Sequence, residues 1–268
     1  MTTPAELYTD GIKKKLKNYY AAWLPGTDLE LGDVGVLEGN IFTKLTSLKN
    51  LGISFKKRPD RATTGKIEYV SESGVSRIFK AAGENNTTLI NIPQGKAGIG
   101  VKFSEKGAFI VEAQESYELS IDDIEKLEED IREAYQQGKW KSKYTVIVRL
   151  IHSPCTTIMI SNSSKASIQL SIEGDVPING ISLANAGGVL AVKSEEGDIL
   201  KFIDAKELTL FFQLVQVKAK PFVWDFFNLQ LPESKVKPLD IITPVVAREN
   251  PKIASSLYLD LVRDSEVQ

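Results

Sequence analysis

Residues 156–174, TTIMISNSSKASIQLSIEG, alternate apolar and small polar side chains on either side of a polar turn. Ile158 and Ile160 alternate with Thr157, Met159 and Ser161. Ile168, Leu170 and Ile172 alternate with Ser167, Gln169, Ser171 and Glu173. A period of two belongs to extended chain, because successive side chains of a strand point to opposite faces. The spacing predicts a β-hairpin with one greasy face and one face of small hydroxyls, and so a chain that must satisfy two different solvents.

Other stretches supply the surroundings. Tyr144 through Ile151 is a β-branched run and reads as a strand covered on both faces. LTLFFQLVQVKA, residues 208–219, is long and strongly β-forming, and strands are expected within 178–192 and at 199–203. Residues 66–70, 75–79 and 88–92 read as short strands. Val101 and Phe103, followed past Gly107 by Phe109, Val111 and Ala113, read as a second hairpin. Residues 27–55 read as turns and short strands with a helical turn near 42–51.

Three helices are expected. Thr3-Pro4 resembles an N-cap and first turn. Leu7, Ile12, Leu16, Tyr19 and Trp23 then form a stripe that Pro25-Gly26 ends, with Gly11 as a point of bending. Lys13, Lys14, Lys15 and Lys17 occupy the other sides of this helix. Residues 120–137 open on Ser120 and Asp123, carry Ile121, Ile124, Leu127, Ile131 and Tyr135 on one stripe, and stop at Gly138; their acidic face reads as solvated. After Pro251, Ile253, Leu257 and Leu261 recur every four residues beside Tyr258 and Val262. That spacing predicts a short helix, too short to stand alone in water, which must dock. The order of elements implies α+β: a twisted, mainly antiparallel sheet with an N-terminal, a central and a C-terminal helix.

Composition narrows the chemistry. The net charge of −2 provides no field for nucleic acid, so no nucleic-acid partner is expected. One cysteine leaves no internal disulfide, and a reducing, intracellular setting follows. The N-terminal twenty residues lack an apolar h-region, and no run of ~18 apolar residues occurs, so neither a secretory signal nor a transmembrane helix is expected. One histidine and one cysteine do not make a zinc site, and no metal or cofactor is expected. Gly98 and Gly100 lack the rest of a dinucleotide loop, and Gly95-Lys96 lacks the upstream glycine of a phosphate loop. His152 and Cys155 stand three apart, which on an extended chain places them on opposite faces. A thiol hydrolase using Cys155 is therefore a minor alternative, and no enzyme is expected. Asn85-Asn86-Thr87 matches a glycosylation acceptor that needs a secretory route.

The basic first helix, the amphipathic strands and the docking tail together resemble the pore-forming domain of the gasdermins. IEKLEEDIREAYQQGKWKSKYTVIVRLIHS is similar to that family's passage from central helix to strand, and GDILKFIDAKELTLFFQLVQV to its late strand pair. Length and the short tail resemble the bacterial members, which lack the large inhibitory domain of animal gasdermins. Many bacterial members carry an N-terminal cysteine that takes a lipid; here the sole cysteine is Cys155, so the resemblance does not extend to that feature. The resemblance implies a pore-forming domain over 1–231, a linker over 232–250 and an autoinhibitory docking helix over 251–268. It implies a protein that is cytoplasmic when intact. A protease cut in the linker, at a position such as Asp240 or Arg248, would remove the tail carrying Ile253, Leu257, Tyr258 and Leu261. The chain would then oligomerise with itself in the inner or plasma membrane, as a defence and cell-death effector. Lys13, Lys14, Lys15 and Lys17 would meet anionic lipid, and Ile158, Ile160, Ile168, Leu170 and Ile172 its acyl chains. A non-enzymatic protein-interaction module that uses the tail and basic helix is the alternative reading.

Overall fold

A computed structural model describes residues 2–59, 61–84, 88–173, 183–184, 189–219, 244–249 and 255–262. The helices are α1 (Pro4–Lys15), α2 (Ile124–Gln136) and α3 (Pro244–Glu249). The strands are β1 (Tyr20–Ala21), β2 (Asp33–Glu38), β3 (Ile41–Ser47), β4 (Ala62–Val70), β5 (Val75–Lys80), β6 (Gly98–Phe103) and β7 (Phe109–Ser120). They continue with β8 (Thr145–Ser153), β9 (Cys155–Ser161), β10 (Ala166–Glu173), β11 (Val189–Glu196), β12 (Ile199–Ala205), β13 (Leu208–Ala219) and β14 (Leu257–Leu261). The fold is α+β, as the order of elements implies.

The strands form two sheets. Ten lie in a first sheet with the path β1-β13-β8-β7-β9-β12, to which β14 adds on β13, β4 on β7, and β2 and β3 beside β8. Four lie in a second sheet, β11-β10-β6-β5. β8 and β9 keep one register against β7, from Ser120↔Arg149 to Phe109↔Ile160. They are thus one long strand, broken where Pro154 has no N–H to give. The Ser153 hydroxyl covers that break: it lies 2.7 Å from the Gln114 carbonyl and accepts the Cys155 N–H at 3.2 Å. β12 and β13 run antiparallel to β9 and β8 in the same way.

Three apolar clusters hold these layers. α2 buries Leu127, Ile131 and Tyr135 against Val146, Val148, Phe212 and Leu214 of the first sheet. Asp123 is the N-cap, its carboxylate accepting the Lys126 N–H at 2.8 Å, and Gly138 takes the left-handed conformation past the end. α1 buries Tyr8 and Ile12 against Phe109, Val111, Ile158, Ile160 and Phe211. The second sheet buries Ile99, Val101, Phe103, Ile168, Leu170 and Ile172 together with Ile110 and Met159 of the first. Each such side chain contributes roughly 1.5–3 kcal/mol when fully removed from water.

Several expectations are corrected. α1 ends at Lys15 and does not reach Trp23, because Tyr20 and Ala21 pair with Phe212 and Phe211 as β1. Gly11 does not interrupt it: a Cβ there would lie 2.5 Å from the Phe109 ring, so the glycine serves close packing. Residues 88–92 form turns. Leu89 and Ile92 fill the space above Gly100 and Gly98 in β6. β6 and β7 are strands but not a hairpin, since β6 pairs β5 and β10 while β7 pairs β4, β8 and β9. β9 and β10 are likewise not a hairpin; they belong to different sheets. The C-terminal helix is a strand: Leu257–Leu261 pairs antiparallel with residues 215–219 of β13. A short helix could not hold alone, whereas the edge of β13 beyond β1 offers five ladder positions to the same residues. Residues 232–243 of the expected linker, Asp240 among them, lie outside the described residues, as do Ile253 and Asn85-Asn86-Thr87.

Candidate functional site: a crease between two sheets, the basic helix and a covered edge

The two sheets share a strand order. Side by side in the first sheet stand β4, β7, β9 and β12, and in the second β5, β6, β10 and β11. Each strand of one runs into its counterpart in the other through four, five, four and two residues at 71–74, 104–108, 162–165 and 197–198. The second sheet is therefore the first one folded over along a single crease. Backbone bonds continue through the crease. Ser71 N–H donates to Phe109 O (3.0 Å), Ser104 N–H to Gly74 O (2.9 Å), Gly107 N–H to Ser161 O (2.7 Å) and Asn162 N–H to Asp198 O (2.9 Å).

Glycine makes the fold possible. Gly74, Gly107 and Gly197 all have φ between 78° and 82°. Glycine alone visits that region and the extended one about equally, so these three positions suit either a crease or a straight strand. Serine hydroxyls hold the turns locally: Ser71 Oγ donates to Ser73 O at 2.8 Å and Ser161 Oγ to Ser163 O at 2.7 Å.

Side-chain parity runs through the crease as well. Phe109 and Val111 of β7 face α1, and Ile99, Val101 and Phe103 of β6 have the same parity. Ile158 and Ile160 of β9 face α1, and Ile168, Leu170 and Ile172 of β10 share their parity. These five isoleucine and leucine positions would lie on one face of a straight strand. In the folded molecule they occupy two different clusters, and all five are buried. The hydroxyl side of β9 is buried too, with Thr157 and Ser161 at 0 % exposure.

One ion-pair group ties the sheets together. Arg77 of β5 donates to Glu112 of β7 at 2.6 Å and to Glu68 of β4 at 2.9 Å. The Glu112 side chain is 3 % exposed, and its other oxygen accepts the Leu183 N–H at 2.8 Å. The Arg77 hydrogen bond holds the Glu68 carboxyl below the usual carboxylate range, against the effect of burial.

α1 lies on the crease. Thr3 and Glu6 form its capping box, with Glu6 N–H donating to Thr3 Oγ1 at 3.2 Å and Thr3 N–H to the Glu6 carboxylate at 2.7 Å. Leu7 packs where a Cβ on Gly107 would stand, 2.3 Å from it. A cleft of about 210 Å³ between helix and crease is lined by Lys14, Lys15, Ser73, Glu105 and Lys106. Lys14, Lys15 and Lys17 are exposed, but Lys13 is not: it is 2 % exposed, with Nζ 3.4 Å above the centre of the Tyr20 ring. Tyr19 donates to Glu118 at 2.6 Å, and burial together with that carboxylate pushes its pKa up to about 12.

The tail closes the far edge of the first sheet. Leu257 is buried, and Tyr258 and Leu261 are half-buried on β13. Arg248 of α3 is exposed, and its guanidinium donates twice to the Gln136 carbonyl, both at 3.2 Å, capping the last turn of α2. His152 and Cys155 take separate partners. The imidazole stacks on Tyr117 at 5.8 Å, whereas Cys155 Sγ lies 2.8 Å from Ala184 O. Burial pushes the His152 pKa down. Among the described residues there is no metal-holding group of His, Cys, Asp or Glu, and no helix long and apolar enough to cross a membrane.

Sequence patterning singled out the alternating strands and the lysines but missed Arg77, Glu112, Glu128 and Arg132. The last two stand four apart on a helix face that reads as merely solvated, and only the docked tail gives them work.

No family model matches the chain, and no curated protein matches it. Among solved structures, the cryo-EM structure of the gasdermin A3 membrane pore is similar to it over 89% of this chain and 99% of that one, at 8% identity and a TM-score of 0.38. That likeness is shallow, and no residue's role is transferred through it.

Proposed function

We propose that this chain is a non-enzymatic, autoinhibited pore-forming protein. The observation that carries the reading is the crease itself: two sheets with one strand order, joined strand by strand, with apolar parity kept through the two central pairs, β6–β7 and β9–β10. Opening the crease would merge the four pairs into strands covering residues 62–80, 98–120, 155–173 and 189–205, which are 19, 23, 19 and 17 residues long. A membrane strand needs about 9–11. Their apolar face would meet lipid, while Lys102, Ser167, Gln169, Ser171 and Glu173 would face water.

Lipid admits strands only in a closed barrel, so a four-stranded unit must join further copies edge to edge. In this reading α1 leaves the face it covers, and Lys14, Lys15 and Lys17 contact anionic headgroups, each contributing about 1 kcal/mol near the surface. Lys13 belongs to the closed monomer. Ile158, Ile160, Ile168, Leu170 and Ile172 exchange protein neighbours for acyl chains. The tail, with Leu257, Tyr258 and Leu261, restrains the monomer until a protease cuts before it, at Asp240, Arg248 or elsewhere. Neither a cofactor nor nucleic acid takes part. The intact protein would reside in the cytoplasm and the opened one in the inner or plasma membrane.

The test is dye release from anionic vesicles. Protein nicked between β13 and β14 is expected to empty them, and intact protein to leave them full. Equal leakage from both would remove autoinhibition. No leakage from nicked protein freed of its tail would remove the pore.

A further inference from the structure

β14 is held along both edges. On one side it adds to β13, from Val215↔Leu261 to Ala219↔Leu257, and the Val262 N–H donates to Leu214 O at 3.0 Å. On the other side no strand follows among the described residues. There α2 supplies two side chains that substitute for one. Glu128 Oε2 accepts the Leu259 N–H at 2.9 Å, and Arg132 Nε donates to the Leu257 carbonyl at 3.2 Å. Glu128 and Arg132 also bind each other at 2.7 Å, which fixes one acceptor and one donor at the spacing of residues i and i+2 of an extended chain. Leu257 and Val262, 1 % and 4 % exposed, anchor the two ends. The Tyr20 hydroxyl donates to the Val262 carbonyl at 3.1 Å.

These polar contacts go to the main chain of residues 257–262, and one more reads a side chain, Lys218 Nζ pairing with the Asp260 carboxylate at 2.7 Å, so the slot reads extended conformation with apolar ends and one acidic position. The strand's nearest described anchor along the chain is α3, which ends seven residues before Leu257 and whose Arg248 caps the end of α2. A segment exchanged between molecules therefore leaves its own slot together with α3.

We propose that the slot between β13 and α2 is an exchangeable strand-binding site whose partner in trans is the same segment, residues 255–262, of a second copy of this chain. Within one molecule the tether gives the segment an effective concentration on the millimolar scale, so it occupies its own slot. Where copies are crowded, or where the segment has been cut away, a neighbour's segment takes its place. This exchange needs no membrane and stands or falls apart from pore formation.

The direct experiment uses the full chain carrying Leu259→Pro together with Leu257→Asp, which delete the N–H that Glu128 accepts and put a charge at the buried end of the strand, so that the tail no longer fills its slot. A fluorescent peptide SSLYLDLV is expected to bind this chain, and to bind wild type at least about tenfold more weakly because the slot is filled. Arg132→Ala on the same chain weakens the peptide at least about tenfold, and so does N-methylation of the peptide at the Leu259 position. N-methylation at Leu261, whose N–H bonds the Asp260 side chain at 2.9 Å, weakens it less. Equal binding to wild type, or equal effects of the two N-methyl groups, overturns the slot. If the doubly substituted chain does not fold, amide exchange in an otherwise wild-type chain decides. Glu128→Ala is expected to accelerate the Leu259 amide about tenfold more than the Leu261 amide, and parallel acceleration overturns the proposal. Wild-type protein that stays strictly monomeric up to millimolar concentration rejects the second copy as partner.

Discussion

The first sheet around α2 and the second sheet beyond the crease solve burial in different ways. β8 is buried on both faces along most of its length, and β13 has its outer edge taken by β1 and β14. Apart from β14, no strand of that region can move without exposing core. The second sheet has one apolar and one polar face, and its edge strands β5 and β11 have no further strand beside them among the described residues. The β11 edge carries the exposed Lys193, Glu195 and Glu196, charges of the kind that keep an open edge from pairing prematurely. The comparison teaches that one half of the molecule is buried on both sides while the other joins it only through four short turns, which is where the proposed opening would concentrate its change.

The severest test of that division removes the tie between the halves. Arg77→Met leaves Glu112 buried without its cation and is expected to cost about 3–5 kcal/mol. Hydrogen exchange should show β5, β6 and β10 losing protection before β8 and β13. Equal loss in both would mean one cooperative unit and no convertible half. Next comes the crease. Gly107→Ala combines a positive φ of 82° with a Cβ 2.3 Å from Leu7, and should lower stability by about 2–4 kcal/mol in a denaturant titration. Gly138→Ala, at φ 73° with nothing within 4 Å, should cost only about 1–2 kcal/mol. A smaller effect is expected from Thr3→Ala, which deletes the capping box of α1 and should cost about 1 kcal/mol. It should also speed dye release by nicked protein, because α1 covers the face that must be exposed.

Acid should separate the halves most gently. Burial lowers the His152 pKa below its ordinary 6.5, so the fold favours the neutral ring, and the first sheet loses stability as pH falls below that value. His152→Gln should abolish this stage. Glu68, lowered by Arg77 from 4.5, and Glu173, lowered to about 2 by Lys96, Ser171 and Lys193, stabilise the second sheet above the carboxylate range. Their contribution is lost as pH falls from about 4.5 toward 2. Circular dichroism and exchange read against pH should show the two stages in that order.

Local pattern made much of the fold legible. β13 runs over the residues its β-branched and aromatic run predicts, and α2 stops before Gly138 as expected but starts at its cap Asp123 and not at Ser120, which closes β7 opposite Arg149. Partnership was not legible. A four-residue polar turn between alternating strands looks the same whether the chain reverses within one sheet, as a hairpin, or folds across into a second. The pairing of β9 with β7 and β12 is decided by contacts far along the chain. The tail misled for a related reason. Leu257, Leu259 and Leu261 satisfy a period of two while Leu257 and Leu261 satisfy a helical one, and only the free edge of β13 chooses between them. Of the candidate site, the lysines of α1 were visible as charge, but the burial of Lys13 over Tyr20 depends on β1, which no periodicity announces.

The central claim is that the crease opens. Spin labels on Lys66 of β4 and Ser76 of β5, both exposed, flank the contact between Glu68 and Arg77. In the intact protein they should give a short distance. After nicking and addition of anionic vesicles, a straight strand of ten residues should move them to roughly 33 Å. A distance that stays at its starting value while the vesicles leak would contradict the account.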